Sequence, residues 1–281
     1  MIRALPLLLT ACTLDSVVLL DEEPSATGLA GERGPLGAEL LQRVTQARVT
    51  ERLHYSVVSP VGGVEPYPLV TFIQGGLVEP SRYHWAAAHM ASRGFVVVLP
   101  EHDANLAITQ SGNSDLAVDA LLRSDLATRV DESVGWAAMG HSLGGVLAAG
   151  LWTRDERYAG LAFLASFASE ATPIAERQTS RALSLLGSDD FTDLQSAMNT
   201  VDRFVVPADF GLISGMGHYA WTDDPAAFEQ ERDGPTGREP DATRPDAMRV
   251  LDTFLDAVLL HDASALGSLE TGQFPGVEWN P

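Results

Sequence analysis

The middle of the chain carries the pattern Gly140-His141-Ser142-Leu143-Gly144-Gly145. An apolar run, residues 134–139, precedes it, and a run of small and apolar residues, 146–152, follows it directly. This order predicts a buried strand, a tight turn and a helix. Glycines two residues before and after Ser142 make strained backbone angles sterically possible at the turn. Such a turn exposes the serine hydroxyl at the carboxyl edge of a sheet, so the pattern predicts a nucleophile elbow.

Apolar runs of strand length alternate along the chain with segments of helical periodicity. Strands are predicted at residues 53–58, 69–73, 95–99, 134–139, 161–164, 182–186 and 210–213. Helices are predicted at residues 85–92, at 116–126 and at about 246–260. Near-continuous apolar strands alternating with helices are typical of a parallel sheet that is covered on both faces. We therefore expect an α/β fold with a mostly parallel central sheet flanked by helices.

The composition limits the classes of partner that this chain can have. Its 281 residues suffice for one large α/β domain, and 45% of them are hydrophobic. The formal net charge of −20 argues against nucleic acid and anionic lipid surfaces as partners, because both attract lysine and arginine. One cysteine allows no internal disulfide, and the histidines lack metal-ligand spacing, so we expect no metal and no cofactor. The composition does not specify the oligomeric state.

The amino terminus has the pattern of a short secretion signal. Arg3 is followed by the apolar residues 4–10, and Leu9-Thr10-Ala11-Cys12 resembles the lipobox of bacterial lipoproteins. The only cysteine of the chain stands where that signal would be lipidated. We predict a signal peptide over residues 1–12 and an exported bacterial lipoprotein anchored to a membrane through Cys12. The alternatives are a periplasmic or secreted protein, or an ordinary amino terminus with an incidental cysteine.

The remaining chain divides into three predicted parts. Residues 13–47 are expected to be a flexible tether, because positions 15–37 are rich in Glu, Gly, Pro and Ser. Residues 48–262 carry the strand and helix pattern and form the predicted α/β domain. Residues 263–281 have no hydrophobic period and are expected to pack as a loop. No stretch of 18 or more apolar residues exists, so no transmembrane helix is expected.

A nucleophilic serine needs a base within hydrogen-bond reach and an acid that orients the base. Both are expected in loops after later strands, in the order serine, acid, histidine. The predicted strand 182–186 is followed by Asp189 and Asp190, and the strand 210–213 is followed by His218. His218 is therefore the candidate base and one of the two aspartates the candidate acid. The other six histidines are expected on the surface or in packing roles: His54, His84, His89, His102, His141 and His261.

Ester or amide cleavage by a serine also needs two N–H donors where negative charge develops on the carbonyl oxygen. One candidate is the backbone of Leu143, because the free N–H groups and the positive dipole end of a helix lie there. The second is expected in the loop after the strand 69–73, which reads Gln74-Gly75-Gly76-Leu77. Glycines allow close approach of a substrate carbonyl, and we favour the N–H of Gly76. The alternative is that these glycines only serve a tight turn.

Several segments in the same order resemble one known superfamily. They are Pro68 through Gly75, His84-Trp85, Met90 through Val97, the residues 140–145, Gly187-Ser188-Asp189-Asp190 and Gly215-Met216-Gly217-His218. Over about residues 50–260 the chain resembles the α/β-hydrolases, in particular the chlorophyllase-like, platelet-activating-factor acetylhydrolase-like and bacterial cutinase-like branch. The resemblance implies an α/β-hydrolase fold and a Ser142–His218–acid triad. It places the acid three residues after the glycine that ends the strand, which is Asp190.

Two features bear on the substrate. The family commonly has His or Pro at the position of Gln74 and a side chain at that of Gly76, so the resemblance does not specify the acyl-binding wall. About 17 residues separate the strands 161–164 and 182–186, which leaves little or no room for a cap domain over the site. An uncapped cleft suits large or surface-presented esters. Four residues are candidates for lining that cleft: Gln74, His141, Tyr219 and Trp221.

These observations favour a serine hydrolase that cleaves carboxylic esters, small or polymeric, through an acyl-enzyme. Ser142 would attack, His218 would transfer the proton, and Asp190 would orient His218. An amidase or peptidase with the same residues is one alternative. A non-catalytic binding lipoprotein is another, although a binding role does not need all three residues.

Overall fold

The computed structural model describes residues 16–19, 37–48, 51–61, 64 and 66–280. The strands of the described residues are β1 Ser16–Leu19, β2 Gly37–Arg48, β3 Glu51–Val61, β4 Leu69–Ile73, β5 Val96–Pro100, β6 Trp136–His141, β7 Tyr158–Leu164, β8 Arg181–Gly187, β9 Ala208–Ile213 and β10 Val277–Asn280. The α-helices are α1 His84–Ser92, α2 Asn113–Leu122, α3 Leu143–Arg154, α4 Leu194–Asp202, α5 Ala227–Asp233, α6 Pro240–Leu259 and α7 Ala263–Thr271.

All ten strands of the described residues belong to one sheet, in the order β1-β2-β3-β5-β4-β6-β7-β8-β9-β10. The six strands from β5 to β9 in this order pair in parallel. Antiparallel strands complete both edges, with β3, β2 and β1 beyond β5, and β10 beyond β9. The predicted α/β fold with a mostly parallel sheet is confirmed.

Apolar side chains of the central strands are buried on both faces of the sheet. In β4, Val70 and Phe72 belong to a core cluster that includes residues of α1 and α6. Their neighbours Leu69 and Ile73 belong to a second cluster that includes residues of α2 and α3. Successive strand residues point to opposite faces, so a strand that is covered on both sides is apolar at most of its positions. This explains the unbroken apolar runs in the sequence.

Most predicted elements differ from the observed ones only at their ends. The strand β4 has the predicted bounds, and β6 runs two residues past its predicted end, up to the turn. The helix α6 begins at Pro240, about six residues before its predicted start. Proline is favoured in the first turn of a helix, where its missing N–H has no partner to lose. Pro245 lies further inside α6 and does not end it.

The carboxyl-terminal residues form regular structure, which corrects the prediction of a loop over 263–281. The carboxylate of Asp262 accepts hydrogen bonds from the N–H groups of Ser264 (2.7 Å) and Ala265 (3.1 Å) and caps α7. The strand β10 pairs antiparallel with β9. The indole Nε1 of Trp279 in β10 donates to the carbonyl of Leu269 in α7 (2.9 Å). A capped helix and an edge strand each need too few apolar residues to show a period.

The amino-terminal part also differs from its prediction. Within the expected tether, residues 13–47, the structure has the strands β1 and β2, and β2 pairs with β3 over most of its length. The prediction of a tether is wrong for these two ranges, because backbone pairing to an existing sheet edge does not require an apolar composition. The predicted signal peptide and Cys12 lie outside the described residues, and the anchor stays a prediction. None of the described helices combines the length and apolar character that crossing a bilayer requires.

Two histidines, the buried His102 and the half-buried His84, make the stability of the fold depend on pH. Burial lowers the pKa of His84 and of His102 to about 4. An unfolded histidine has a pKa near 6.5, so below that pH the unfolded chain binds protons that the folded chain does not. The folded state therefore keeps its full stability above about pH 6.5, where the imidazoles are neutral in both states, and becomes less stable as the pH falls toward 4. We expect each histidine to lower the free energy of unfolding by about 2 kcal/mol between pH 7 and pH 5.

Urea unfolding at pH 7 and pH 5 measures this effect, with His102→Gln as the matched variant that cannot titrate. The difference in unfolding free energy between the two pH values should shrink by about 2 kcal/mol in the variant. An unchanged difference would mean that His102 is not buried in its neutral form.

Candidate active site

The turn between β6 and α3 holds Ser142 in a strained conformation. Its φ of 51° and ψ of −124° lie outside the regions that side chains prefer, which costs on the order of 1–3 kcal/mol. A Cβ at Gly140 would overlap the backbone of Gly144, and a Cβ at Gly144 would overlap the carbonyl oxygen of Ile73. The N–H of Ser142 donates to the carbonyl of Leu164 in β7 (2.9 Å). The glycines flanking Ser142 are therefore required sterically, and the turn is tied to the neighbouring strand.

His218 and Asp190 lie in the loops that follow β9 and β8, and their side chains contact each other. The distance from His218 Nδ1 to Asp190 Oδ1 is 2.9 Å, and the two side chains are 3% and 0% exposed. Asp190 Oδ1 also accepts from the N–H of Thr192 (2.6 Å). Asp189 faces elsewhere, since its carboxylate accepts from Ser188 Oγ and from the N–H of Gly237. Of the two candidate acids, Asp190 is the one beside the imidazole.

Ser142 and His218 meet at one pocket of about 340 Å³. Its other lining residues are Leu143, Val146, Ala165, Ser166, Phe167, Phe191, Thr192 and Asp193. The wall is mostly apolar, since Leu143, Val146, Ala165 and the two phenylalanines contribute no polar side-chain atom. Because Asp190 occupies Nδ1 of His218, Nε2 is the ring nitrogen that remains for proton exchange at this pocket.

Two aromatic residues of this pocket were not identified from the sequence. Phe191 follows Asp190 directly, and its ring centroid lies 4.1 Å from that of His218. The guanidinium of Arg232 lies 4.3 Å from the same phenylalanine ring. Phe167 follows β7 by three residues, and the two phenylalanines are 42% and 37% exposed. Their position just past the carboxyl ends of parallel strands was the available signal, because ligands bind at that edge of α/β sheets.

The two residues predicted to supply the oxyanion donors, Gly76 and Leu143, lie next to each other. A Cβ at Gly76 would lie 3.3 Å from Leu143 Cδ2. The N–H of Gly75 donates to Tyr83 Oη (2.9 Å) and that of Leu77 to the carbonyl of Asn105 (2.8 Å). Within the part of the chain that the structure describes, neither the N–H of Gly76 nor that of Leu143 donates a hydrogen bond. Leu143 is the first residue of α3 and so has no acceptor within its own helix. Both groups remain available to a ligand.

The four residues predicted to line the cleft are buried, and the structure corrects that prediction. Gln74, His141, Tyr219 and Trp221 are between 0% and 7% exposed, and none of them lines the pocket. Each is occupied elsewhere: Gln74 Oε1 lies 3.4 Å from His102 Nδ1, and Trp221 belongs to the core cluster of α1 and α6. Closeness in sequence to Ser142 or His218 therefore does not place a side chain in the pocket wall.

A second carboxylate holds the loop that carries His218. Asp233 at the end of α5 accepts from the backbone N–H of His218 (2.8 Å, Oδ1) and of Tyr219 (2.9 Å, Oδ2). Burial raises the pKa of this carboxyl, although the two N–H donors favour its charged form. A Cβ at Gly217 would lie 2.7 Å from Asp233 Oδ2, which explains the glycine there. Asp233 could not be identified from the sequence, because a contact to backbone N–H groups leaves no pattern of side chains.

The part of the chain that the structure describes contains no group of three or more His, Asp or Glu side chains that could hold a metal ion. A family model described as the alpha/beta hydrolase family matches residues 69–224, which is more than half of the 281 residues. This range includes β4, the turn at Ser142, Asp190 and His218. No curated protein matches the chain. Its fold and this match together show that the chain belongs to the alpha/beta hydrolase family.

Proposed function

We propose that this hydrolase cleaves carboxylic esters through an acyl-enzyme, with Ser142 as the nucleophile, His218 as the base and Asp190 as the orienting acid. The observation that carries the proposal is that Ser142 and His218 share one pocket while Asp190 contacts the far nitrogen of His218 (2.9 Å). Membership of the hydrolase family supports hydrolysis as the reaction class. The strained conformation of Ser142 supports a reactive role, because such strain is concentrated at functional sites.

The proposed reaction proceeds in two halves. As Ser142 Oγ bonds to the ester carbonyl carbon, its proton passes to His218 Nε2, and the carbonyl oxygen becomes an oxyanion that accepts from the N–H groups of Gly76 and Leu143. The tetrahedral species collapses, the bond to the alcohol oxygen breaks, and His218 gives that oxygen its proton. Water then attacks the acyl-enzyme with His218 as base, which releases the acid and restores Ser142. The charge of Asp190 stabilises the imidazolium in both halves.

The walls of the pocket favour esters whose groups beside the carbonyl are apolar. Leu143, Val146, Phe167 and Phe191 offer apolar contact area next to Ser142. Between β7 and β8 the described chain has only one short 3-10 turn, Ile174–Glu176, so no helical cap is inserted there. An open pocket accepts bulky or polymer-borne esters. We propose the chlorophyllase-like, acetylhydrolase-like and cutinase-like branch as the nearest functional group, on the motifs named above.

A panel of p-nitrophenyl esters and matched p-nitroanilides tests the proposal. Acetyl, butyryl and octanoyl esters should be hydrolysed, and the matched anilides should be cleaved much more slowly. Comparable cleavage of the anilides would favour an amidase. Fluorophosphonate labelling of the pure protein distinguishes an esterase or amidase from a non-catalytic binding protein. A binding protein would show neither labelling nor turnover.

A further inference from the structure

A buried chain of hydrogen bonds crosses behind the pocket. The N–H of Gly75 donates to Tyr83 Oη (2.9 Å), which lies 2.8 Å from His141 Nδ1. His141 Nε2 lies 3.0 Å from the carbonyl oxygen of His218. Tyr83 and His141 are both fully buried. These hydrogen bonds thus join three backbone segments: the loop before Gly76, the residue before Ser142, and His218 itself.

The direction of each hydrogen bond in this chain is determined. The carbonyl of His218 can only accept, so His141 carries its proton on Nε2. Burial and the neighbouring His218 hold the pKa of His141 well below its usual value, so the ring is neutral and Nδ1 is an acceptor. Burial raises the pKa of Tyr83, so its hydroxyl keeps the proton that it donates to Nδ1. No proton in this chain has an alternative partner.

Packing around the same atoms is tight. A Cβ at Gly75 would lie 2.8 Å from His141 Nδ1 and 3.0 Å from Tyr83 Oη. The rings of His141 and His218 have centroids 4.6 Å apart, and those of Tyr83 and His141 lie 5.7 Å apart. Close packing leaves the groups one arrangement, so a shift of one ring displaces the next.

We propose that Tyr83 and His141 are positioning residues that couple the loop of the oxyanion donor Gly76 to the loop of the base His218. Neither residue lines the pocket, so neither touches the substrate. Their effect is on geometry: they hold one oxyanion donor, the nucleophile and the base at fixed separations. This inference rests on the proposed function, in which those three groups act together on one carbonyl.

The test is Tyr83→Phe, which keeps the ring and removes the hydroxyl that joins Gly75 to His141. Transition-state interactions weaken when donors shift, so kcat should fall between about tenfold and a hundredfold. KM should stay within about twofold, because ground-state binding by the apolar wall is untouched. Binding of a boronic acid, which forms a tetrahedral adduct with the serine, should weaken by the same factor as kcat.

Tyr158→Phe is the matched control. Tyr158 is also fully buried, and its hydroxyl has one partner at 2.9 Å, Thr71 Oγ1, away from the pocket. This variant should lose stability in urea unfolding as Tyr83→Phe does, with kcat unchanged. If Tyr83→Phe keeps kcat within about twofold of wild type, the coupling is refuted. If Tyr83→Phe does not fold, His141→Asn serves instead, since its amide oxygen can still accept from Tyr83 but its side chain is too short for the His218 carbonyl.

Nitrogen-15 NMR of labelled histidines tests the coupling without any turnover. In the wild type, the His141 ring should stay neutral with its proton on Nε2 from pH 5 to pH 8. Tyr83→Phe should move the ring signals of both His141 and His218, and Tyr158→Phe should move neither. Unmoved His218 signals in Tyr83→Phe would overturn the coupling. Absence of ester hydrolysis in the wild type would count against the proposed function alone.

Discussion

Replacing Ser142 with alanine should lower kcat for p-nitrophenyl butyrate by about 10⁶-fold, as loss of the nucleophile does in comparable serine enzymes. In the proposed reaction the hydroxyl forms the bond to the acyl carbon, and alanine has no group that can replace it. Covalent labelling by a fluorophosphonate should disappear in the same variant. The helix α3 and the glycines around the turn are unaffected, so the variant should unfold at the same urea concentration as the wild type.

Ser166→Ala is the matched control for this experiment. Ser166 also lines the pocket, and its hydroxyl donates to the carbonyl of Ser142 (2.5 Å). Loss of that contact should leave the phosphonate label in place, because the nucleophile remains. A label that persists in Ser142→Ala and vanishes in Ser166→Ala would reassign the nucleophile to Ser166.

Asp190→Asn should lower kcat by about 10⁴-fold, the cost of a wrong imidazole tautomer in the serine-protease precedent. An asparagine amide can present its N–H₂ to His218 Nδ1 and so favour the proton on Nε2, where it blocks the acceptance of the serine proton. The Asp190 side chain is buried beside the ring, so a water molecule cannot easily replace its hydrogen bond to His218 Nδ1. Asp189→Asn should cost less than about tenfold, because this half-buried carboxylate accepts from Ser188 and Gly237 and acts on the site only through a screened field.

The two aspartate variants are compared by kcat at pH 8, with urea unfolding of each. Asp189 accepts from the N–H of Gly237, so its variant is expected to lose some stability while it keeps most of its activity. If Asp189→Asn loses its activity and Asp190→Asn keeps it, the orienting acid is Asp189 and not Asp190. Equal losses in both would mean that the loop, and not one carboxylate, determines the rate.

The sequence predicted the parallel core because each central strand is apolar at most positions and each is followed by a turn. Ser142, Asp190 and His218 could be selected for the same reason, since their loops follow β6, β8 and β9 at the edge where ligands bind. Which residues directly follow a strand can be read from the order of the sequence. The candidate triad was therefore open to prediction, and the choice between Asp189 and Asp190 came from the resemblance alone.

The cleft was not predictable in the same way. Tyr219 and Trp221 are close to His218 in sequence, but the loop turns them inward, whereas Phe191 faces the pocket. Which way a loop residue points depends on packing against elements far away in sequence, such as α5 and α6. The carboxylate of Asp233 illustrates this, because it reaches His218 across 15 positions through a backbone N–H. Sequence patterns carry no record of such contacts.

The last strand, β10, covers one edge of the parallel core and so limits its contact with other protein molecules. Because β10 pairs with β9, it covers backbone N–H and C=O groups along that side of the parallel core. An uncovered strand is a template on which another chain can add, which leads to aggregation. Trp279 holds β10 against α7, and β10 is an edge strand of only four residues, so it offers another chain a shorter template than an uncovered β9 would. For expression and engineering, a tag or truncation at the carboxyl terminus is therefore a greater hazard to solution behaviour than a change of similar size on α2.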